Sequence, residues 1–353
     1  MRAVEPDEAA ATGAPRLPAG RYRVRRATRA SLVGAAAGLV VVAVLGIAPM
    51  WARNSVLHTL TGFFTLLALA SLWNLLAGYA GLVSIGQQAY IGIGAYALYW
   101  LAQTAGVDPF LAVPLAGLAG AVIAVPVAAL AFRLRGGYFA IGTWVIAEAL
   151  RLLVANTSQL GGGSGVTVTA VSAYDRQSRI YLTYWLAFAV GVGAVALVYL
   201  LLRRRIGLAL VANRDAETAA RSLGVNVYRT KLGVYVLASA GCAVAGAVTY
   251  LNLLRIQPDA AFSVNWTAFM IFIVVIGGVG TIEGPIIGTV LFFVLQETLA
   301  QYGSWYLILL GVVAIAVTLR ARNGLWGLVA ERTGISLFPV QRRLRPPAAT
   351  ETS

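Results

Sequence analysis

Runs of apolar residues long enough to cross a hydrocarbon core alternate along this chain with short polar or glycine-rich breaks. A helix needs roughly 20 predominantly apolar residues to span a core of about 30 Å. The pattern predicts spans over 32–51, 56–77, 89–105, 110–132, 138–155, 180–202, 232–254, 266–279, 286–300 and 305–319. The expected fold class is all-α, a polytopic transmembrane helix bundle of about ten spans, because lipid offers no partner to backbone outside a helix. Two glycine-rich breaks, 78–88 and 277–285, complicate the count. The run 266–279 rises only about 21 Å as a helix. If 266–300 is a re-entrant pair, the total drops to about eight and both termini keep their side. No internal repeat is evident, although ten spans would accommodate a five-span inverted repeat.

Composition removes the soluble alternatives. Of 353 residues, 59% are hydrophobic and 11% charged, against about a quarter charged in soluble domains. The net charge of +14 comes from arginine, Lys231 being the one lysine among 27 basic residues. Threaded from a cytoplasmic N-terminus, seven basic residues precede the first span, two lie at 133 and 135, seven in 203–231 and six beyond 319. Only Arg53, Arg176, Arg179 and Arg255 fall outside, and Arg151 falls within a helix. The bias places both termini in the cytoplasm and marks the basicity as an orientation signal rather than a nucleic-acid surface. Residues 1–31 read as a disordered basic cytoplasmic tail, 32–319 as the membrane domain with a long inner loop at 203–231, and 320–353 as a second basic cytoplasmic tail. The run 32–51 exceeds the ~7–15 apolar residues of a signal peptide, so it is expected to remain as the first helix. Cys242 has no intrachain disulfide partner and reads as a small buried hydrophobe.

Groups for enzyme chemistry are scarce. There is one histidine, His58, read as a membrane-interface residue, and no Cys/His cluster suited to a metal. No Gly-x-x-x-x-Gly-Lys-Ser/Thr loop occurs, since Lys231 follows Thr230, so the chain is not itself a P-loop ATPase. Acids inside the membrane are costly and therefore informative. Glu148 has Arg151 three residues on, and two readings stand: a self-compensating pair, or a carboxylate on a hydrated substrate path. Glu297 divides the same way, whereas Glu283 is expected to be solvated near the inner surface. The stretch 78–96 offers either small residues for close helix contact or a broken helix lining a binding site, with Asn74, Ser84, Gly86, Gln87, Gln88 and Tyr90 on the path. In both breaks Gly78, Gly81, Gly277, Gly278, Gly280, Gly284 and Pro285 are the expected interruptions. In the inner loop, Asp215 is expected to cap a short Ala-rich helix, Glu217 to favour its start and Gly224 to end it.

At this loop the chain resembles permease subunits of branched-chain amino acid ABC importers, the LivH/LivM type and closer to LivM. The carrying residues are Arg214, Asp215, Glu217, Ala219, Ala220, Arg221, Gly224 and Asn226, similar to that family's cytoplasmic coupling segment. Four further stretches agree in order: Gly78-Tyr-Ala-Gly81 with Ser84-Ile-Gly86; Arg135 to Ile141 leading to Glu148; Gly161 to Gly165; and Pro258, Phe262 and Ser263 followed by Gly277 to Gly288. The likeness covers roughly 56–327. It implies import of branched-chain or related amino acids, or of urea, amides or aromatic acids on the same architecture. It also implies a second LivH-like permease, two ATP-binding subunits, an extracytoplasmic solute-binding protein, a bacterial inner-membrane location and no cofactor beyond ATP on the partner. Where LivM-like chains commonly carry His, this one has Gln87. That difference bears on substrate rather than architecture. An ion-coupled secondary transporter is the rival class, with Glu148 or Glu297 as its coupling carboxylate.

Overall fold

The computed structural model describes residues 23–25, 29–299, 305–321, 323–333, 337–338 and 343–345. Most of the two expected tails lies outside these residues. What is described is helical nearly throughout: α1 (Arg29–Gly46), α2 (Asn54–Asn74), α3 (Gln88–Tyr99), α4 (Pro109–Ala131), α5 (Gly137–Ala155), α6 (Arg176–Arg203), α7 (Arg205–Asp215), α8 (Glu217–Ser222), α9 (Val227–Leu253), α10 (Pro258–Ala261), α11 (Val264–Gly277), α12 (Glu283–Leu299), α13 (Trp305–Arg320) and α14 (Gly324–Thr333). Two small antiparallel ladders join β1 (Arg23–Arg25) to β4 (Arg343–Arg345) and β2 (Val166–Thr167) to β3 (Arg255–Ile256).

Among the described residues, seven helical stretches are long and apolar enough to cross a membrane: Asn54–Tyr79, Pro109–Ala131, Gly137–Ala155, Arg176–Arg203, Val227–Leu253, Pro258–Gly277 and Ile308–Thr333. The last of these takes in both α13 and α14. Val33–Gly46 is a shorter apolar helix. Two more of the expected spans come out short. The run 89–105 is α3, 12 residues continued by a π-helical turn at Trp100–Thr104, because 80–87 stays out of helix. The run 286–300 is α12, 17 residues that begin at Glu283 with Pro285 in the first turn, where a missing N–H costs nothing.

The core forms around α2, most of which is buried, and it packs on α6, α9, α11 and α12. On the far side of α9 lie α3 and α4. The α3–α9 crossing depends on glycine: a β-carbon on Gly94 would collide with the carbonyl of Ala243, and one on Gly246 with that of Ile91. By contrast α5 is barely covered by its own chain, with Phe139, Thr143 and Ala147 its buried residues. The loop between α5 and α6 is tied down by Asp108, which caps α4 by accepting from Phe110 N (2.9 Å) and Leu111 N (3.3 Å) and also accepts from the Tyr174 hydroxyl. The Tyr174 bond, ahead of the cap, holds the Asp108 carboxyl below the usual carboxylate range.

Candidate functional site

The first break is a true interruption of the helix. α2 widens into a π-helical turn over Leu75–Tyr79, and residues 80–87 then run without helix to the start of α3. Backbone released at membrane depth has to find partners in the protein. Here Ser84 O accepts from Trp73 Nε1 (2.9 Å), and Ile85 N donates to Thr143 Oγ1 (3.2 Å). Gly86 N donates to Ser84 Oγ (3.2 Å), and Gly86 sits so close to α5 that a β-carbon would strike the Thr143 carbonyl. At the head of α3, Gln88 N donates to Thr267 Oγ1 (3.3 Å), which itself donates to Gln88 Oε1 (2.5 Å). Tyr90 OH donates to Tyr235 OH (3.1 Å). The expected path residues Ser84, Gly86, Gln87, Gln88 and Tyr90 are thus brought together, but all are buried.

Gln87 stands apart within this group. It is 0% exposed, and neither its amide oxygen nor its nitrogen has a hydrogen-bond partner among the described residues. An unsatisfied buried amide costs about 1–3 kcal/mol. Gln87→Leu should therefore raise thermal stability by about that amount, since the volume is kept and the penalty removed. If Gln87 serves a polar solute, the same variant should lose most uptake in a transport assay. Undiminished uptake would remove Gln87 from the path.

The second break meets the first. Asn74 Oδ1 accepts from Gly280 N (2.9 Å) and Asn74 Nδ2 donates to Thr281 O (2.7 Å), so one amide clamps α2 to the 278–282 turn. A β-carbon on Gly78 would lie 2.6 Å from Gly280 N, and one on Gly277 would meet the Gly284 carbonyl. Gly78, Gly277 and Gly284 are therefore sites of backbone contact, while Gly278 and Gly280 adopt positive φ (134° and 75°). Pro285 is buried in the first turn of α12. Glu283 departs from expectation: it is 6% exposed, and its Oε1 accepts from Leu337 N (3.0 Å) and Phe338 N (2.9 Å). Two backbone donors stand where water was expected, so the residue anchors the chain beyond α14. Glu297 remains exposed on α12, and His58 Nδ1 is bonded to Asn252 Oδ1 (2.7 Å).

In the loop 203–231 the structure corrects the expected cap. Asp215 is the last residue of α7, not the cap of the next helix, and it pairs with Arg214 (2.9 Å). Ala216 (φ −154°, ψ 86°) breaks the chain between α7 and α8, so a pair of helices replaces the one expected. Glu217 does open α8, where Lys231 (2.8 Å) and Arg221 (2.6 Å) both pair with it and hold its carboxyl below the usual range, Lys231 foremost. Gly224 does end α8. Its φ is +81°, its N–H donates to Arg221 O (2.9 Å), and Val225 N donates to Ala220 O (3.1 Å), the paired bonds of a left-handed helix stop. Ala220 is 1% exposed, packed within its own chain, whereas Ala219 is exposed. Leu223, four residues on from Ala219, is 82% exposed. Sequence reasoning passed over Leu223, although a leucine among Arg, Ser and Gly in a charged loop was a legible signal.

On α5, Glu148 accepts from Arg151 Nη2 (2.6 Å) and Nε (2.9 Å), and Arg151 Nη1 reaches Asp259 (2.5 Å) at the start of α10. The expected pair is present, with a third member that the sequence concealed 108 residues away. Glu148 is nevertheless half exposed, on one face with Tyr138, Ile141, Val145 and Leu152.

A helical membrane chain with a clamped double break, a short helix pair tied to it by Arg214 and Lys231, and a charged face on the sparsely covered α5 has parts suited to a solute permease. The sequence profile of the family described as the branched-chain amino acid transport system / permease component matches residues 55–318. The chain belongs to that family. It is similar to the high-affinity branched-chain amino acid transport system permease protein LivM of Salmonella typhimurium and to that of Escherichia coli. Each is 29% identical over 322 residues, covering 81% of this chain and 74% of the relative. A probable branched-chain amino acid transport permease protein LivM of Methanocaldococcus jannaschii is 26% identical over 198 residues, 54% of this chain and 56% of that one. No solved structure matches the chain. The family member described here is thus a multi-pass transport permease component of the LivM type.

Proposed function

We propose that this permease is one of two membrane subunits of an ATP-binding-cassette importer in a bacterial cytoplasmic membrane, both termini inside. Its partners are a LivH-like permease, two ATP-binding subunits and an extracytoplasmic solute-binding protein, and its cargo is a branched-chain or related amino acid. The observation that carries the reading is α8, held by Glu217, stopped by Gly224 and offering Ala219 and Leu223 to water. Glu217, Arg221 and Gly224 fix the shape of this element, Asp215 ends the helix before it, and buried Ala220 seats it on the chain. Ala219 and Leu223 are left for an ATP-binding subunit.

The path is assigned to the face of α5 that carries Glu148. A half-exposed carboxylate and its 22% exposed arginine partner are too costly to leave facing hydrocarbon. A sister permease or water opposite that face removes the cost. Together the two groups match the ammonium and carboxylate of a zwitterion. Alternating access follows if closure of the ATP-binding subunits moves α7–α8 and rocks the helices around this face.

Co-purification of ATP-binding subunits, and solute-stimulated ATP hydrolysis in liposomes, test the reading. Uptake driven by an ion gradient without nucleotide would replace it with a secondary transporter. Orientation has its own check. Cysteine at Ser172 should react with an impermeant thiol reagent in intact cells and cysteine at Ala216 should not. Native Cys242, fully buried, stays silent in the assay. Labelling of Ala216 from outside would overturn the orientation.

A further inference from the structure

Arg214 is the next-to-last residue of α7, yet its guanidinium leaves the cytoplasmic helix pair and enters the membrane domain. Its Nη1 donates to the carbonyl oxygen of Gly78 at 2.6 Å, while its Nε holds Asp215 at 2.9 Å. The same Nη1 would lie 3.4 Å from a β-carbon on Gly280, and the Arg214 Cγ 3.3 Å from one on Gly81. Gly81 has φ +69°, which keeps the chain turning there without a side chain in the way. The arginine is therefore seated where the two glycine breaks touch, at Gly78 and Gly280, beside the clamp made by Asn74.

The chemistry of the acceptor suits a cation. Gly78 lies in the last turn of the α2 helix, where carbonyls lack helical partners and carry the negative end of the helix dipole. Directly beyond it runs the non-helical segment 80–87, which delivers Ser84, Gly86 and the unpartnered Gln87 to the head of α3. Displacing α7 must then either break the Arg214–Gly78 bond or pull on the turn that leads into that segment.

We propose that Arg214 is the transmission residue of this permease, a positioning residue that carries movement of α7–α8 to the paired glycine breaks and so to the buried segment 80–87. This rests on the importer reading above. Arginine is needed because one planar fork serves Asp215 and Gly78 at once, whereas a lysine ammonium is a single compact donor group. Arg214 takes no part in docking the ATP-binding subunits, which is the task of Ala219 and Leu223.

The test uses the assembled importer in liposomes with leucine-loaded binding protein. It reads both retention of ATP-binding subunits and the ratio of stimulated to basal ATP hydrolysis. Arg214→Ala should retain the subunits but lose about tenfold in stimulated hydrolysis, the order expected for one charge-assisted hydrogen bond. Arg214→Lys should recover part of the ratio. Asp215→Asn should keep it, because the Gly78 bond survives. Should Arg214→Ala fail to accumulate, Arg214→Lys against Asp215→Asn supplies the same comparison. A full ratio in Arg214→Ala or Arg214→Lys would overturn the inference, as would loss of the ATP-binding subunits from either. If the unaltered permease never retains such subunits, the importer reading falls first, and this inference with it.

Discussion

Ala219→Trp and Leu223→Asp should each strip the ATP-binding subunits from the purified complex while leaving the permease abundant in the membrane. Both positions lie on the outward side of α8, and neither touches the core of its own chain closely enough to be buried. A leucine that passes from water into a partner's cleft contributes about 1.5–3 kcal/mol, so its loss should weaken docking by roughly 10- to 100-fold. A carboxylate in that cleft costs more, because it must be desolvated without a partner. Tryptophan at Ala219 acts by standing the helix off, and a gap of 0.5–1 Å already forfeits a quarter to a half of the contact energy. The contrast is Ala220→Trp. There the side chain would be forced into the permease itself, so the expected result is low abundance rather than clean dissociation. Retention of the ATP-binding subunits by Ala219→Trp and Leu223→Asp on gel filtration would mean that α8 is only a linker.

The second large effect belongs to α5. Arg151→Ala removes the counter-charge of Glu148 and should lower membrane abundance, with a penalty of about 1–3 kcal/mol once partial exposure is allowed for. Glu148→Gln should do little to abundance, because Arg151 keeps Asp259. If the carboxylate lines the path, however, uptake in Glu148→Gln should fall by an order of magnitude or more, measured at matched protein level. The double variant Glu148→Gln with Arg151→Gln should restore abundance without restoring uptake. Normal uptake in Glu148→Gln would reduce the pair to a structural one and move the path elsewhere.

Much of this molecule was legible before any coordinates. The recurrence of apolar runs declared a polytopic helical protein because lipid enforces that rule locally, one segment at a time. Gly224 could be read as a helix stop for the same reason: its positive φ is a property of one residue. Family membership rode on motifs whose order the chain preserves.

Other features depended on groups far apart in sequence. Asp215 looked like a cap, but the backbone of Ala216 and the pull of Arg214 made it a helix end. Glu283 looked solvated until the 337–338 backbone arrived to bond it. Burial of Ala220 against exposure of Ala219 and Leu223 is decided by how α8 lies on its neighbours, which no helical period reveals in six residues. The sequence alone determined that the helix of α2 is weak at glycines 78 and 81, which suits either close helix contact or a break. Only the tertiary structure decided where the freed backbone and Arg214 find their partners, because a hydrogen bond across 136 residues is a fact of packing and not of local preference.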